Sequence, residues 1–341
     1  MRFNKRGMFS AIIILIIAVF LVSYRLPYYI YKPGGADALN PIVEVADGYK
    51  SEGDMHLVTI RGGQATPLQY LLASIRPYQE IQPIDEVFPE GISQDEYFDA
   101  QLQMMENSQE ASTVVAYQAA GEEIEIEYKG IYVVTVIREM PADGKLKAGD
   151  RILRIDGEEM ETSDQMIDYI STKEAGDKIE VTVNRDGEQI TESIELELFP
   201  GQDERIGIGI QLVTDREVEV EPALSFASGN IGGPSAGLMF SLEIYDQLTE
   251  EDMTKGYQIA GTGEINYEGE VGRIGGIDKK VIAADQEGCD VFFAPNENGA
   301  ENSNYSVAKE TAEEIGTDMK IVPVDTFQEA VDYLNEMQSI G

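Results

Sequence analysis

Ser235 stands in "GNIGGPSAGLMFSLEIYDQL", residues 229 to 248, where a glycine-rich turn runs into an apolar helix. Gly232, Gly233 and Pro234 predict a tight turn with exposed N–H groups. Leu238, Leu242 and Tyr245 recur at i, i+4 and i+7 and predict one buried helix face. A serine at that mouth has two readings. One is a nucleophile near the positive end of the helix, with backbone N–H groups of Gly233, the Pro234 region and Ser235 forming an oxyanion hole. The other is a plain N-cap serine.

A serine nucleophile needs a base. "GRIGGIDKKVIAADQEG", residues 272 to 288, offers one. On a helix starting near Ile277, the apolar face is Ile277, Val281 and Ala284. Lys280 lies on that face; Lys279 lies beside it, with Asp278 on a wetter side. Burial disfavours an ammonium and lowers a lysine pKa toward working pH. His56, in "GDMHLV", is the sole histidine and would be the base of a rival Ser-His pair. One histidine and one cysteine disfavour a metal centre built on such ligands, and neither metal nor cofactor is expected. Cys289, in "GCDVFFAP", reads as a core thiol on a buried strand.

These residues need a sizeable body to hold them. The 341 residues are 43% apolar, enough for one large domain or two ordinary ones. The formal charge of −38, from 63 acidic and 25 basic residues, disfavours nucleic acid as a partner. At the N-terminus, Arg2, Lys5 and Arg6 precede an uncharged run at 7–24. Such a run is about 27 Å long as a helix, close to a hydrocarbon core. Tyr28, Tyr29 and Tyr31 suit an interfacial belt. The expectation is a cytoplasmic tail at 1–6, an uncleaved transmembrane helix at 7–24, a linker at 25–39 and an extracytoplasmic body in the cell membrane. Residues 40–121 read as an α/β region. It includes a long helix or helix pair opened by the capping pattern Ser93 to Glu96. Residues 122–198 are mainly strands and turns, and 199–341 alternate helices with strands.

"YKGIYVVTV" and "LKAGDRILRIDGEEM" resemble a PDZ domain of the bacterial protease type, over residues 128 to 197. The resemblance implies a peptide-binding module in which a peptide adds as an extra strand. By position it places the carboxylate-binding loop at Tyr128, Lys129, Gly130 and Ile131. Tyr132 and Val133 then begin the groove strand, and "TSDQMIDYIST" forms the opposite wall.

"GPSAG", "IAGTGEINYEGEVGRIGGIDKK" and "VIAADQEGCDVFFAP" together resemble the proteolytic domain of Lon proteases, over residues 222 to 338. The fold implied is an α/β (α+β) catalytic domain beside the mainly β PDZ domain, with residues 40–121 as a possible front half. The resemblance implies a Ser-Lys dyad of Ser235 and Lys280, with Thr262 helping to hold the lysine. Many members carry an acidic residue three positions before the serine; here it is Gly232. The chain has no G-x-x-x-x-G-K-[ST] stretch, so the activity expected is that of an ATP-independent serine endopeptidase. Its expected partners are peptide or protein segments selected through the PDZ domain, the membrane through the anchor and, by resemblance, further copies in a hexamer. The rival reading is a non-catalytic, tethered PDZ scaffold on an inactive Lon-like fold.

Overall fold

The core is built around "VFFAP", a strand whose five residues are all buried, which requires cover on both faces. A computed structural model describes residues 5–88, 94–199 and 205–340. The chain opens with helix α1 (Lys5–Ser23), strands β1 (Tyr28–Ala38), β2 (Val43–Val45) and β3 (Asp54–Gln64), and helix α2 (Pro67–Ala73). Strand β4 (Glu80–Pro83), the short α3 (Ile84–Val87) and the long α4 (Gln94–Ala120) follow. The middle module holds β5 (Glu123–Val136), β6 (Arg151–Ile155), β7 (Glu158–Glu159), α5 (Ser163–Ser171), β8 (Lys178–Arg185) and β9 (Glu188–Glu195). It continues through β10 (Glu197–Leu198), β11 (Ile206–Gly207) and β12 (Ile210–Glu221). The last part holds β13 (Leu224–Phe226), a 3₁₀ turn at Pro234–Ala236, α6 (Gly237–Leu248), β14 (Gln258–Gly261), β15 (Glu264–Ile265) and β16 (Val271–Gly272). It closes with α7 (Ile277–Glu287), β17 (Val291–Pro295), α8 (Asn304–Ile315), β18 (Lys320–Val324) and α9 (Phe327–Glu336).

Two parts of the chain far apart in sequence share one six-stranded sheet, ordered β18-β17-β14-β3-β1-β4. Strands β18, β17, β14 and β3 run parallel to one another, whereas β1 is antiparallel to both β3 and β4. Residues 25–39, expected as a linker, therefore contain a sheet strand. Tyr29 and Ile30 are buried in it, and Tyr29 packs against Phe88 rather than at an interface. On one face of the sheet, α7 and α8 cover Val58, Ala260 and Phe292. On the other, α6, α4 and α9 cover Met55, Leu57, Ile259 and Phe293. Burying each such large apolar side chain contributes about 1.5–3 kcal/mol.

The middle module forms a second sheet, ordered β12-β5-β6-β8-β9, with α5 packed over a core of Ile152, Ile155, Met166, Val181 and Ile194. Strand β12, expected to begin the last domain, is the edge strand of this sheet. It pairs with β5 from Ile210↔Val136 to Glu221↔Glu123. The far end of that two-stranded ribbon, at Ile124 and Val220, packs into the main core.

The membrane expectation does not hold. Among the described residues, no helix is long and apolar enough to cross a membrane. The transmembrane part of the expected fold and the single-pass location drawn from it are thereby overturned. Arg2 and the proposed cap Ser93 lie outside the described residues.

Gly130 shows how tightly β5 meets β6. Its φ is +113°, and a Cβ there would stand 2.6 Å from the Ile152 carbonyl oxygen. Gly130→Ala is expected to destabilise this sheet by about 2 kcal/mol or more, read as a lower midpoint in urea unfolding of the full chain.

Candidate active site

The turn before α6 is fixed from three sides. Gly233 has φ +93°, which lets the chain reverse into Pro234–Ala236. Ser108 Oγ of α4 donates to the Pro234 carbonyl at 2.9 Å, and Ser112 Oγ donates to the Gly237 carbonyl at 2.8 Å. A Cβ on Gly237 would stand 2.7 Å from Ile265 and 2.9 Å from Ser108 Oγ, so the second glycine of "GPSAG" is a contact requirement. The Ser235 carbonyl accepts from Gly263 N–H at 3.0 Å and from Thr262 Oγ1 at 2.8 Å. Ser235 is not the N-cap of α6. That position is Ala236, and no side chain caps either the turn or the helix.

Lys280 comes from the first turn of α7. Gly276, at φ +65°, opens that helix directly against β3; a Cβ on it would stand 2.3 Å from Ile60. Lys280 is 3% exposed, and its Nζ lies 2.7 Å from Ser235 Oγ and 2.9 Å from Thr262 Oγ1. Thr262 has one hydroxyl proton, and it is donated to the Ser235 carbonyl. Its oxygen therefore accepts from Lys280, which leaves the lone pair of a neutral amine for the Ser235 hydroxyl. Burial, with no carboxylate alongside among the described residues, lowers the Lys280 pKa to about 7.

Lys279 is as buried, at 4% exposed, but has a different fate. Its Nζ pairs with Glu80 at 2.8 Å and Asp278 at 3.1 Å. Burial pulls its pKa down, but the Glu80 bond and the Asp278 charge more than offset this, and it stays above the ordinary value. The "wetter side" expected for Lys279 is thus an ion pair supplied by β4. His56 Nε2 bonds Gln258 Oε1 at 2.7 Å, and His56 takes no part in the Ser235–Thr262–Lys280 cluster. Burial pushes the Cys289 thiol up to about 12, as a core thiol requires. Among the described residues, no group of histidine, cysteine and carboxylate side chains could hold a metal ion.

The expected oxyanion donors need correction. Pro234 has no N–H. The Gly233 N–H donates to the Gln101 carbonyl of α4 at 2.8 Å. Of the three, the Ser235 N–H is the donor left. The same approach of α4 accounts for Gly232, because a Cβ there would stand 2.9 Å from Gln101 Cβ. Gln101, Ser108 and Ser112 were missed at the sequence level. Their one signal is the i, i+4 spacing of Ser108 and Ser112 in an otherwise acidic helix. Ser235 and Lys280 open onto a cleft of about 1430 Å³ walled by β1, β3, α2 and α4.

The expected peptide groove also moves. Ile131 and Tyr132 pair with β12 on one side and with β6 on the other, so β5 has no free edge there for an added strand. Gly130 serves strand contact. The free edge is that of β12, facing α5, where Ser163 of the helix is tied to Thr214 of the strand.

Comparison with known proteins gives two overlapping family matches. Residues 101–196 match the PDZ domain family, and residues 178–336 match the Lon protease (S16) C-terminal proteolytic domain. The second match contains Ser235, Thr262 and Lys280. The Lon protease of Mesomycoplasma hyopneumoniae is 33% identical over 102 residues, which cover 30% of this chain and 11% of that protein. The Lon protease of Metamycoplasma arthritidis is 36% identical over 107 residues, covering 31% of this chain and 12% of that protein. The matched stretch thus spans about a tenth of the length of these relatives. Among solved structures, the PDZ domain of an SdrC-like protein from Listeria monocytogenes is 35% identical, covering 26% of this chain and 93% of that one, with a TM-score of 0.25. Over these two stretches the chain is similar to a PDZ domain and to a Lon-type proteolytic domain.

The lowered Lys280 pKa has a consequence for stability. Between about 7 and the ordinary lysine range, the unfolded chain holds a proton that the folded chain lacks, so stability from this group rises with pH. Lys280→Met removes that linkage. The variant is expected to melt several degrees above wild type at and below pH 7, with the gap closing as pH approaches the ordinary lysine value. Thermal melts of both proteins across pH check this.

Proposed function

We propose that the chain is a serine endopeptidase in which Lys280 is the base for Ser235, working without ATP. The observation that carries this is the 2.7 Å approach of a buried lysine amine, with no carboxylate partner among the described residues, to a serine hydroxyl at the mouth of a cleft. Neutral Lys280 takes the Ser235 proton as Oγ bonds to the substrate carbonyl carbon. The Ser235 N–H, near the positive end of α6, holds the oxyanion. The C–N bond then breaks, and Lys280 returns its proton to the leaving amine. Neutral again, Lys280 takes a proton from water; the hydroxide attacks the ester, and the proton returns to Ser235 Oγ. Thr262 orients the amine throughout by accepting one of its N–H groups.

The peptide-binding role falls to the β12 edge. Ile210 and Leu212, beside the free edge of the strand, belong to the same apolar cluster as Met166, Tyr169 and Ile170 of α5. The turn at Gly207 to Gly209 leads into the strand, and Gly209 has φ +81°. An extended segment with a free C-terminus would add to β12 here and bring its chain to the protease.

The test is cleavage of an unfolded protein by the full chain without ATP. Ser235→Ala and Lys280→Ala are each expected to lose activity by about a thousandfold or more. Lys279→Ala and His56→Ala should keep activity within an order of magnitude. Wild-type kcat/KM should rise as pH passes about 7, because only the neutral amine can accept the proton. Loss with His56→Ala but not with Lys280→Ala would contradict the assignment. For the groove, Leu212→Asp should weaken binding of a peptide with a free C-terminal carboxylate by about tenfold or more, measured by calorimetry. Tyr132→Phe should leave that binding unchanged.

A further inference from the structure

The cleft that holds Ser235 has a charge opposite to that of the rest of the chain. Acidic residues outnumber basic ones 63 to 25 overall. Among the described residues lining the cleft, seven are Lys or Arg and two are Asp or Glu. Three of the seven are accounted for: Lys280 faces Ser235, Lys279 pairs with Glu80, and Arg273 pairs with Glu297 at 2.7 Å. The other four, Arg25, Lys32, Arg61 and Arg76, form no ion pair with any described carboxylate; Arg25 donates only to the Gln64 carbonyl. In a chain so rich in carboxylates, four exposed cations on one cleft with no carboxylate partner among the described residues form a local reversal of sign.

Two of them are also placed against each other. Lys32 of β1 and Arg61 of β3 are direct cross-strand partners in an antiparallel pair, between Tyr31↔Gly62 and Pro33↔Ile60. Residues directly opposite share one face of the sheet, and like charges there destabilise it. An opposite pairing at this register would have stabilised the sheet. The arrangement has a use if an anionic ligand sits between the two.

Given that the cleft is where peptides are cut, as proposed above, we infer that it selects substrate segments carrying Asp or Glu side chains, with Lys32 and Arg61 as the principal specificity-determining pair. A carboxylate on an extended substrate passing along β1 and β3 would be held by both cations, with Arg25 and Arg76 extending the field along the wall. Arg61 can take a carboxylate with two parallel N–H bonds.

The experiment uses the full chain and three fluorogenic peptides with one scissile sequence, flanked by Asp and Glu, by Asn and Gln, or by Lys. Wild type is expected to prefer the acidic peptide over the neutral one by about tenfold in kcat/KM, as two or three exposed charge pairs would supply. The Lys32→Gln/Arg61→Gln variant should bring that ratio close to one. Arg61→Lys should retain most of it. Thermal melts accompany each variant: removing the like-charge pair should raise Tm, and a fall would give the pair a structural role and overturn the inference. Equal cleavage of acidic and neutral peptides by wild type, or a preference untouched in the double variant, would also overturn it while leaving the protease reading intact. The same peptides are titrated by fluorescence anisotropy onto Ser235→Ala. If no peptide is cleaved, the protease reading fails. The anisotropy ratio then decides alone, an acidic preference lost with the double substitution upholding the inference and its absence overturning it.

Discussion

The site rests on keeping one amine dry and without a counter-charge. An ammonium cannot be buried alone without a large cost, so a lysine in that position gives up its proton instead. Everything around Lys280 serves that condition. Gly276 allows α7 to start against β3, Thr262 takes one N–H, and Gly232 adds no side chain of its own to the serine turn. Lys279, the adjacent residue, shows the alternative outcome. With Glu80 and Asp278 in reach, equal burial yields a stable ion pair and a pKa above the ordinary value. On the proposed reading, the difference between a base and a structural cation is the position of two carboxylates.

The second constraint is continuity of the sheet across a long insertion. Strand β3 pairs with β14, which lies some two hundred residues later, at His56↔Ala260 and Leu57↔Gly261. The cleft is thus walled by strands from the front of the chain, while Ser235, Thr262 and Lys280 come from the back. The middle module enters and leaves through the β5–β12 ribbon, whose end at Ile124 and Val220 packs in the main core and whose other end is part of the second sheet. Arg216 lies between the two parts, buried and stacked on the Tyr267 ring at 3.2 Å from its centroid. A peptide added to the free edge of β12 would therefore touch a strand that is itself part of the junction.

Much of the local structure was legible from the residues. The Gly-Gly turn, the apolar face of α7 and the buried run in β17 all follow from spacing and composition, and periodicity alone preferred Lys280 to Lys279. What spacing could not supply was pairing. "RLPYYIYKPGGA" has the proline and glycines of a linker, yet it lies in the sheet because β3 and β4 flank it on both sides. The PDZ resemblance places the peptide groove by position on Tyr132 and Val133, after a loop that includes Gly130. The sheet order shows that this glycine serves close strand contact and that the open edge belongs to β12. The oxyanion donors were misjudged for a related reason: Gln101 reaches Gly233 from a helix 132 positions earlier, and only the fold brings them together. The apolar run near the start read as a membrane span by length, and among the described residues no helix meets that requirement.

The most direct test of the account is the titration of Lys280 itself. With lysine side chains labelled at Cε, NMR would follow each resonance across pH, and the signal absent from Lys280→Met would identify the residue. The account predicts one lysine titrating near 7, with Lys279 remaining above the ordinary lysine value. If the Lys280 signal instead titrates with the ordinary surface lysines near 10.4, the amine is protonated at neutral pH. Ser235 would then have no base, contrary to the central claim.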